Sequence, residues 1–173
     1  MQQANASDNL LVLGTAQDGG YPHTGCSEDC CREAWKDSNQ KRLIASLAVL
    51  DGKDCFLVDI TPDFKYQLQL IERHINEKPH ISGICITHAH LGHYMGLLEL
   101  GLEVMNTNAI PVYVMPKMKS FLENNAPFTQ LLELNNIRLL ALQDNYTIDI
   151  FKDVKITPFP VPPRNEYLTL IHI

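Results

Sequence analysis

Residues 84–98 read ICITHAHLGHYMGLL and place His88, His90 and His93 within six positions. The apolar run before the histidines predicts a buried strand, and the apolar-periodic segment after them predicts a helix. Residues 88 and 90 point the same way in an extended backbone, and residue 93 lies one helical turn after residue 90. Neutral imidazoles bind Zn²⁺ at roughly 2.0–2.1 Å, and a catalytic zinc takes about three protein ligands. The stretch therefore predicts a metal site at a strand-to-helix turn, whereas a lone histidine would indicate a surface or core residue.

The composition is typical of one globular domain. The 173 residues are 45% hydrophobic and 20% charged, and no linker or repeat divides them, so we expect a single domain over residues 1–173. The net charge is −6 with acidic and basic residues mixed, which predicts no nucleic-acid partner. No apolar run approaches the ~20 residues that span a bilayer, and residues 1–9 carry no signal-peptide pattern. We therefore expect a cytoplasmic protein without a membrane partner.

Strands and helices alternate along most of the chain and give way to strands alone near its end. Thr61-Pro62-Asp63 is typical of a helix start, and apolar residues at helical spacing follow it. Strands are predicted at residues 9–14, 42–50, 54–59, 84–86, 110–114, 137–142, 146–151 and 154–158. Helices are predicted after an N-cap at Ser27 and over residues 61–76, 97–105 and 117–125. This pattern predicts an α/β fold.

A second candidate metal site lies near the start of the chain. His23, Cys26, Cys30 and Cys31 fall within nine residues of one another around a predicted helix start. Thiolates with an imidazole suit a tetrahedral structural zinc. However, the spacing is irregular and the adjacent Cys30 and Cys31 are not expected to face one ion together, so free cysteines in a loop remain the alternative. The two remaining cysteines lie in apolar strands and are expected to be buried.

Asp59 closes an apolar strand that we expect to lie beside the histidine strand. A carboxylate there could accept the second ring N–H of a ligand histidine, which would fix the tautomer and raise the basicity of that ring. The alternative is a strand-end residue that only precedes a helix. We name Asp59 as a candidate catalytic-site residue on the first interpretation.

The histidine stretch resembles the His-x-His-x-Asp-His signature of the metallo-β-lactamase superfamily. His88, His90 and His93 match the signature, while Gly92 stands where it has aspartate. In the signature the first two histidines bind one metal and the Asp-His pair binds a second. The resemblance therefore implies one zinc at His88 and His90, with His93 as an auxiliary ligand, and it puts a second catalytic ion in doubt because glycine has no side chain.

Within the superfamily the chain resembles coenzyme PQQ synthesis protein B and its relatives. The resemblance rests on the loop Asp18-Gly-Gly-Tyr-Pro22 with the cysteines that follow it, and on Ile60-Thr-Pro-Asp-Phe64. It implies an αββα sandwich of mixed sheets, of which this chain would hold the N-terminal half to two-thirds. Relatives carry a further histidine near Phe159–Arg164, where this chain has Pro162 and Pro163, and a later Asp and His that would fall beyond Ile173.

The resemblance implies a zinc-dependent hydrolase in which zinc-activated water attacks an ester, amide or phosphodiester of a small-molecule substrate. Two alternatives stay open. A non-catalytic, degenerate or truncated metal-binding module would fit Gly92, and a ribonuclease Z-like phosphodiesterase would share the histidine turn but is disfavoured by the acidic charge balance. An incomplete sandwich would expose an apolar sheet face, so we also expect a homo-oligomer or a partner that covers it.

Overall fold

Six strands form one mixed sheet in chain order in the computed structural model, which describes residues 10–159 and 171–172. The strands are β1 (Leu10–Gly14), β2 (Ser46–Asp51), β3 (Asp54–Val58), β4 (His80–Cys85), β5 (Ile110–Val114) and β6 (Ile137–Ala141). β1, β2 and β3 pair antiparallel, whereas β3 to β6 pair parallel. Because two antiparallel steps restore the original direction, β1 ends at the same edge of the sheet as β3 and β4.

A smaller antiparallel sheet contains β7 (Ile148–Phe151), β8 (Val154–Pro158) and β9 (Ile171–His172). The helices are α1 (Asp29–Lys36), α2 (Phe64–Ile75), α3 (Leu91–Tyr94), α4 (Pro116–Asn124) and α5 (Phe128–Glu133), with 3₁₀ turns at Ser38–Gln40 and Met95–Leu100. No helix in the described ranges is long and apolar enough to cross a membrane.

The two faces of the large sheet bury different sets of side chains. Side chains alternate along a strand, so in β3 Leu57 joins a core shared with the helices, while Phe56 joins a second core with Ile156 of the small sheet. Helices thus cover one face and the small sheet covers part of the other. This arrangement of helix layer, mixed sheet and second sheet is the α/β fold that the sequence pattern predicted, and it is part of the αββα sandwich that the resemblance implied.

Most predicted elements are present, but several details of the prediction were wrong. The helix expected to start at Thr61 begins at Phe64, with Asp63 at its N-cap. The helix expected over residues 97–105 is a 3₁₀ turn that stops at Leu100, because Gly101 adopts an extended backbone conformation. Glu28, and not Ser27, occupies the N-cap of α1, without a side-chain hydrogen bond. The helix α5 was not predicted. Cys55 and Cys85 are fully buried, as expected, and Pro162 and Pro163 lie outside the described residues.

Backbone hydrogen bonds fasten the histidine turn to the end of β3. The Asp59 N–H donates to the Cys85 carbonyl at 2.8 Å, and the Ile60 N–H donates to the His93 carbonyl at 3.0 Å. The Gly96 N–H donates to the Ile60 carbonyl at 3.0 Å, and a Cβ at residue 96 would lie only 3.0 Å from that carbonyl carbon. A residue without a side chain is therefore required at 96 for the turn to sit this close to β3.

Candidate metal centres

The three histidines predicted from the sequence lie together just beyond the end of β4. The ring centroid of His88 is 4.6 Å from that of His90 and 4.0 Å from that of His93. The His93 side chain is 14% exposed and the His90 side chain is 41% exposed, so the cluster is open to solvent on the His90 side. The three imidazoles therefore lie together at a solvent-accessible edge of the sheet, where a ligand can reach them.

The Asp59 carboxylate lies beneath this cluster. Asp59 is buried, and its Oδ2 is 2.6 Å from His93 Nδ1. Its Oδ1 accepts the Thr87 backbone N–H at 2.8 Å, while the Thr87 hydroxyl donates to Oδ2, also at 2.8 Å. A buried carboxylate with this many donors is held in one orientation. The His93 Nδ1–H is thus the donor to Asp59, and Nε2 is left as the basic nitrogen of that ring.

Thr87 links Asp59 to His88 and so determines which ring nitrogen of His88 carries the proton. The Thr87 Oγ1 is 2.8 Å from His88 Nδ1. Because the only hydroxyl hydrogen of Thr87 is donated to Asp59, its oxygen must accept the His88 Nδ1–H. One carboxylate therefore fixes two imidazoles in the tautomer with a basic Nε2, which leaves that nitrogen of each ring able to bind a metal.

The surroundings move the pKa values of the two rings in opposite directions. Burial, with a contribution from the charge of His93, lowers the pKa of His88 to about 4. Burial also opposes protonation of His93, but the hydrogen bond and charge of Asp59, together with Asp18, outweigh it and raise the His93 pKa. His88 is therefore neutral, and ready to act as a ligand, at physiological pH.

Asp18, which sequence reasoning missed, faces the same cluster from the loop after β1. Its Oδ1 is 3.2 Å from His93 Nε2 and its Oδ2 is 3.4 Å from His90 Nδ1. The sequence places Asp18 in a stretch of turn residues, without any pattern that marks a ligand. The available signal was topological: β1 has the same direction as β3, so the loop after β1 leaves the sheet at the histidine edge.

The thiols of Cys26, Cys30 and Cys31 form the second cluster. All three sulfurs lie within 4.8 Å of one another, and among the described residues this is the only group of three candidate ligand atoms that meets that limit. The expectation that Cys30 and Cys31 cannot face one ion was wrong, because both lie in the first turn of α1 with sulfurs 3.9 Å apart. His23 stays outside the thiol group, and its Nδ1 lies 3.0 Å from the Thr24 carbonyl oxygen.

Hydrogen bonds from two aromatic side chains hold the thiol loop in place. The Trp35 Nε1–H donates to the Cys26 carbonyl, and the Tyr21 hydroxyl donates to the Cys30 carbonyl, both at 2.8 Å. Hydrogen bonding to Cys26 and then to Cys31 raises the pKa of Cys30 to about 11, whereas the His23 backbone N–H lowers the pKa of Cys31. Of these two thiols, Cys31 therefore has the greater thiolate character.

Both donor sets fit a zinc ion by their chemistry. The thiol cluster offers three soft ligands at close range, which suits a structural ion. The histidine cluster offers imidazoles with oriented basic nitrogens and a carboxylate, which suits an ion with an accessible position. The histidine donors are spread more widely than the thiols in the described part of the chain.

Comparison with known proteins relates the chain to one superfamily. The model of the beta-lactamase superfamily domain matches residues 55–169. The chain is 28% identical over 163 residues to coenzyme PQQ synthesis protein B of Xanthomonas campestris pv. campestris (strain B100), which covers 90% of this chain and 52% of that protein. The chain thus spans about half the length of the curated relatives it matches.

Solved structures show the same fold. Zn²⁺-bound PqqB from Methylobacterium extorquens superposes with a TM-score of 0.75 at 24% identity, over 88% of this chain and 56% of that chain. A diphosphatase from the PhnP family superposes with a TM-score of 0.68 at 23% identity, over 94% of this chain and 60% of that chain. This chain thus matches little more than half of the PqqB chain and 60% of the diphosphatase chain.

Proposed function

Since the chain belongs to the metallo-β-lactamase superfamily, we propose that it is a zinc-dependent hydrolase whose centre is the histidine cluster. One observation carries this proposal. The Asp59 carboxylate, directly and through Thr87, gives His93 and His88 the tautomer in which Nε2 can bind a metal. An aspartate that only ended a strand would not need to orient two imidazoles in this way.

In the proposed mechanism His88 and His90 hold the ion, and His93 assists from the other side of the cluster. Zinc bound there would supply Lewis-acid activation of water and of the bond to be cleaved. Asp59 keeps the His93 Nδ1–H and, through Thr87, the His88 Nδ1–H in place. The open side of the cluster, at the exposed His90, admits the small-molecule substrate.

The comparisons support metal binding, and they keep cleavage of a bond to phosphorus among the candidate reactions. One structural neighbour is a Zn²⁺-bound protein and another is a diphosphatase, although both are less than 25% identical to this chain. Esters, amides and phosphodiesters all share an electrophilic centre with a developing negative charge on oxygen, which a cation stabilises. Because the three substrate classes share this requirement, a direct assay is needed to distinguish them.

A panel of three chromogenic substrates tests the proposal. We expect bis(p-nitrophenyl) phosphate, p-nitrophenyl acetate or nitrocefin to be hydrolysed by the zinc-loaded protein, with loss of activity on chelation and recovery on adding zinc. Turnover and zinc content are measured on the same samples. A folded, zinc-loaded protein that hydrolyses none of them would favour the non-catalytic metal-binding module, for which Gly92 is the argument.

We also propose that the thiol cluster holds a structural zinc. The double variant Cys26→Ser, Cys31→Ser should contain one zinc ion fewer than the wild type and should unfold at a lower temperature. A ligand that binds only the folded state stabilises it by about 4 kcal/mol when its free concentration is a thousand times Kd. Zinc analysis and thermal unfolding with and without a chelator measure both effects.

Cys55→Ala is the matched control for the thiol variant, because it removes a buried thiol that lies outside the cluster. It should keep the wild-type zinc content, whatever its effect on the core. Equal zinc content in the wild type and the double variant would show that the cysteines are free.

A further inference from the structure

Gly92 leaves a space in the histidine turn that another residue fills. Gly92 is buried in the first turn of α3, and a Cβ built on it would lie 2.6 Å from Asp18 Cα, 2.8 Å from Asp18 Cβ and 3.0 Å from Asp18 Cγ. Real Cβ atoms do not approach other carbons this closely. The volume that a side chain at residue 92 would need is thus occupied by Asp18.

Backbone hydrogen bonds position Asp18 beside Gly92. The N–H groups of Thr15 and Ala16 both donate to the Leu43 carbonyl at 2.9 Å, which ties the end of β1 to the segment before β2. The Gly20 N–H then donates to the Gln17 carbonyl at 2.7 Å and closes a turn with Asp18 at its second position. The Asp18 carboxylate is therefore presented by an anchored turn.

The distances from Asp18 match those between neighbouring ligands of one ion. Two donors bound to a tetrahedral zinc at ~2.0–2.1 Å lie roughly 3.3 Å apart. Asp18 Oδ1 is 3.2 Å from His93 Nε2, and Oδ2 is 3.4 Å from His90 Nδ1. Because Asp59 already accepts the Nδ1–H of His93, the nitrogen that faces Asp18 is the basic one.

We propose that Asp18 is a carboxylate ligand of the ion that His93 binds, and that it replaces, from a distant loop, the carboxylate that Gly92 cannot supply. The proposal rests on the proposed function, since it assigns a ligand to the same centre. It explains why glycine is required at residue 92: any side chain there would displace the ligand. The Asp-His pair of the signature is thus re-formed by Asp18 and His93, about 75 positions apart in sequence.

The test compares the metal affinity and the ligand field of variants of the 173-residue chain. Asp18→Asn keeps the volume and the turn preference of the residue but removes its charge. Zinc affinity, measured by competition with a chromophoric chelator, should fall at least a hundredfold, more than the 10–100-fold typical of a lost supporting hydrogen bond. The visible absorption spectrum of the cobalt(II)-loaded protein should change as well. Asp51→Asn, at an exposed acid in the β2–β3 hairpin and so at the opposite end of β3 from the cluster, should leave both unchanged.

A double-variant cycle separates a shared ion from two independent effects. If Asp18 and His93 bind one ion, Asp18→Asn should weaken zinc binding little further in a His93→Ala background. Wild-type affinity and an unchanged cobalt spectrum in Asp18→Asn would overturn the proposal, provided that His88→Ala with His90→Ala still loses metal. If that histidine pair also keeps its metal, the proposed function itself fails.

Discussion

Replacing His88 and His90 together with alanine is expected to empty the histidine site and to abolish hydrolysis. A metal supplies several kcal/mol of transition-state stabilisation and each ~1.4 kcal/mol is tenfold in rate, so turnover should fall roughly a thousandfold or more. Zinc at the thiol cluster should remain, because its three sulfurs belong to a different part of the fold. Zinc content per chain and turnover on the substrate panel are the two measurements.

The matched control removes two other histidines. His74 and His80 are exposed, and His80 pairs with Asp54 far from the cluster, so His74→Ala with His80→Ala should retain zinc content and turnover. Circular dichroism of both double variants checks that the fold persists. Zinc content that is equal in all three proteins would place the ion elsewhere and remove the basis of the hydrolase interpretation.

Local patterns in the sequence were sufficient to predict which residues meet at the histidine edge of the sheet. The apolar runs before His88 and before Asp59 predict two strands, and the helix predicted between them favours a parallel pair whose ends share an edge. β3 and β4 are indeed adjacent and parallel. The proximity of Asp59 to the histidines therefore follows from a short stretch of chain and one topological rule.

The residues that the sequence did not reveal depend on contacts between distant segments. Gly92 taken alone indicates a lost ligand, and only the packing of Asp18 against its Cα shows what occupies that space. Cys30 and Cys31 were expected to diverge because neighbours on a helix point 100° apart. At the first turn of α1 both can still turn toward Cys26, which the loop before the helix brings close.

The homo-oligomer or partner that we expect to cover an apolar sheet face stays a prediction. Leu10 and Val12 of the edge strand β1 are more than half exposed, on the face opposite to the helices. Exposed apolar side chains on one face of an edge strand are typical of a surface that another protein surface covers.

Asp59→Asn is expected to weaken metal binding while leaving the free energy of unfolding almost unchanged. The Thr87 backbone N–H requires an acceptor, so the amide oxygen takes the place of Oδ1 and the amide nitrogen takes the place of Oδ2. This nitrogen then donates to His93 Nδ1 and to Thr87 Oγ1, where the carboxylate accepted. Thr87 in turn donates to His88 Nδ1, and both rings switch to the tautomer with a protonated Nε2.

Zinc affinity of Asp59→Asn should therefore fall 10–100-fold, the range for lost support of ligand histidines. The free energy of unfolding should change by less than ~1 kcal/mol, because the amide keeps the buried contacts and asparagine tolerates the positive φ of 64°. Asp59→Ala should lose the same affinity and also about 2–4 kcal/mol of stability, since Thr87 and His93 keep buried donors without an acceptor. Chelator competition and urea unfolding give the two quantities.

Asp63→Asn provides the comparison for this substitution. Asp63 Oδ2 accepts the Ile44 backbone N–H at 2.9 Å and has no contact with a histidine in the described structure, so its amide should leave zinc affinity unchanged. Wild-type zinc affinity in Asp59→Asn would mean that the carboxylate only ends a strand. The tautomers of His88 and His93 would then be set by something other than Asp59, and the histidine cluster would lose its principal argument for catalysis.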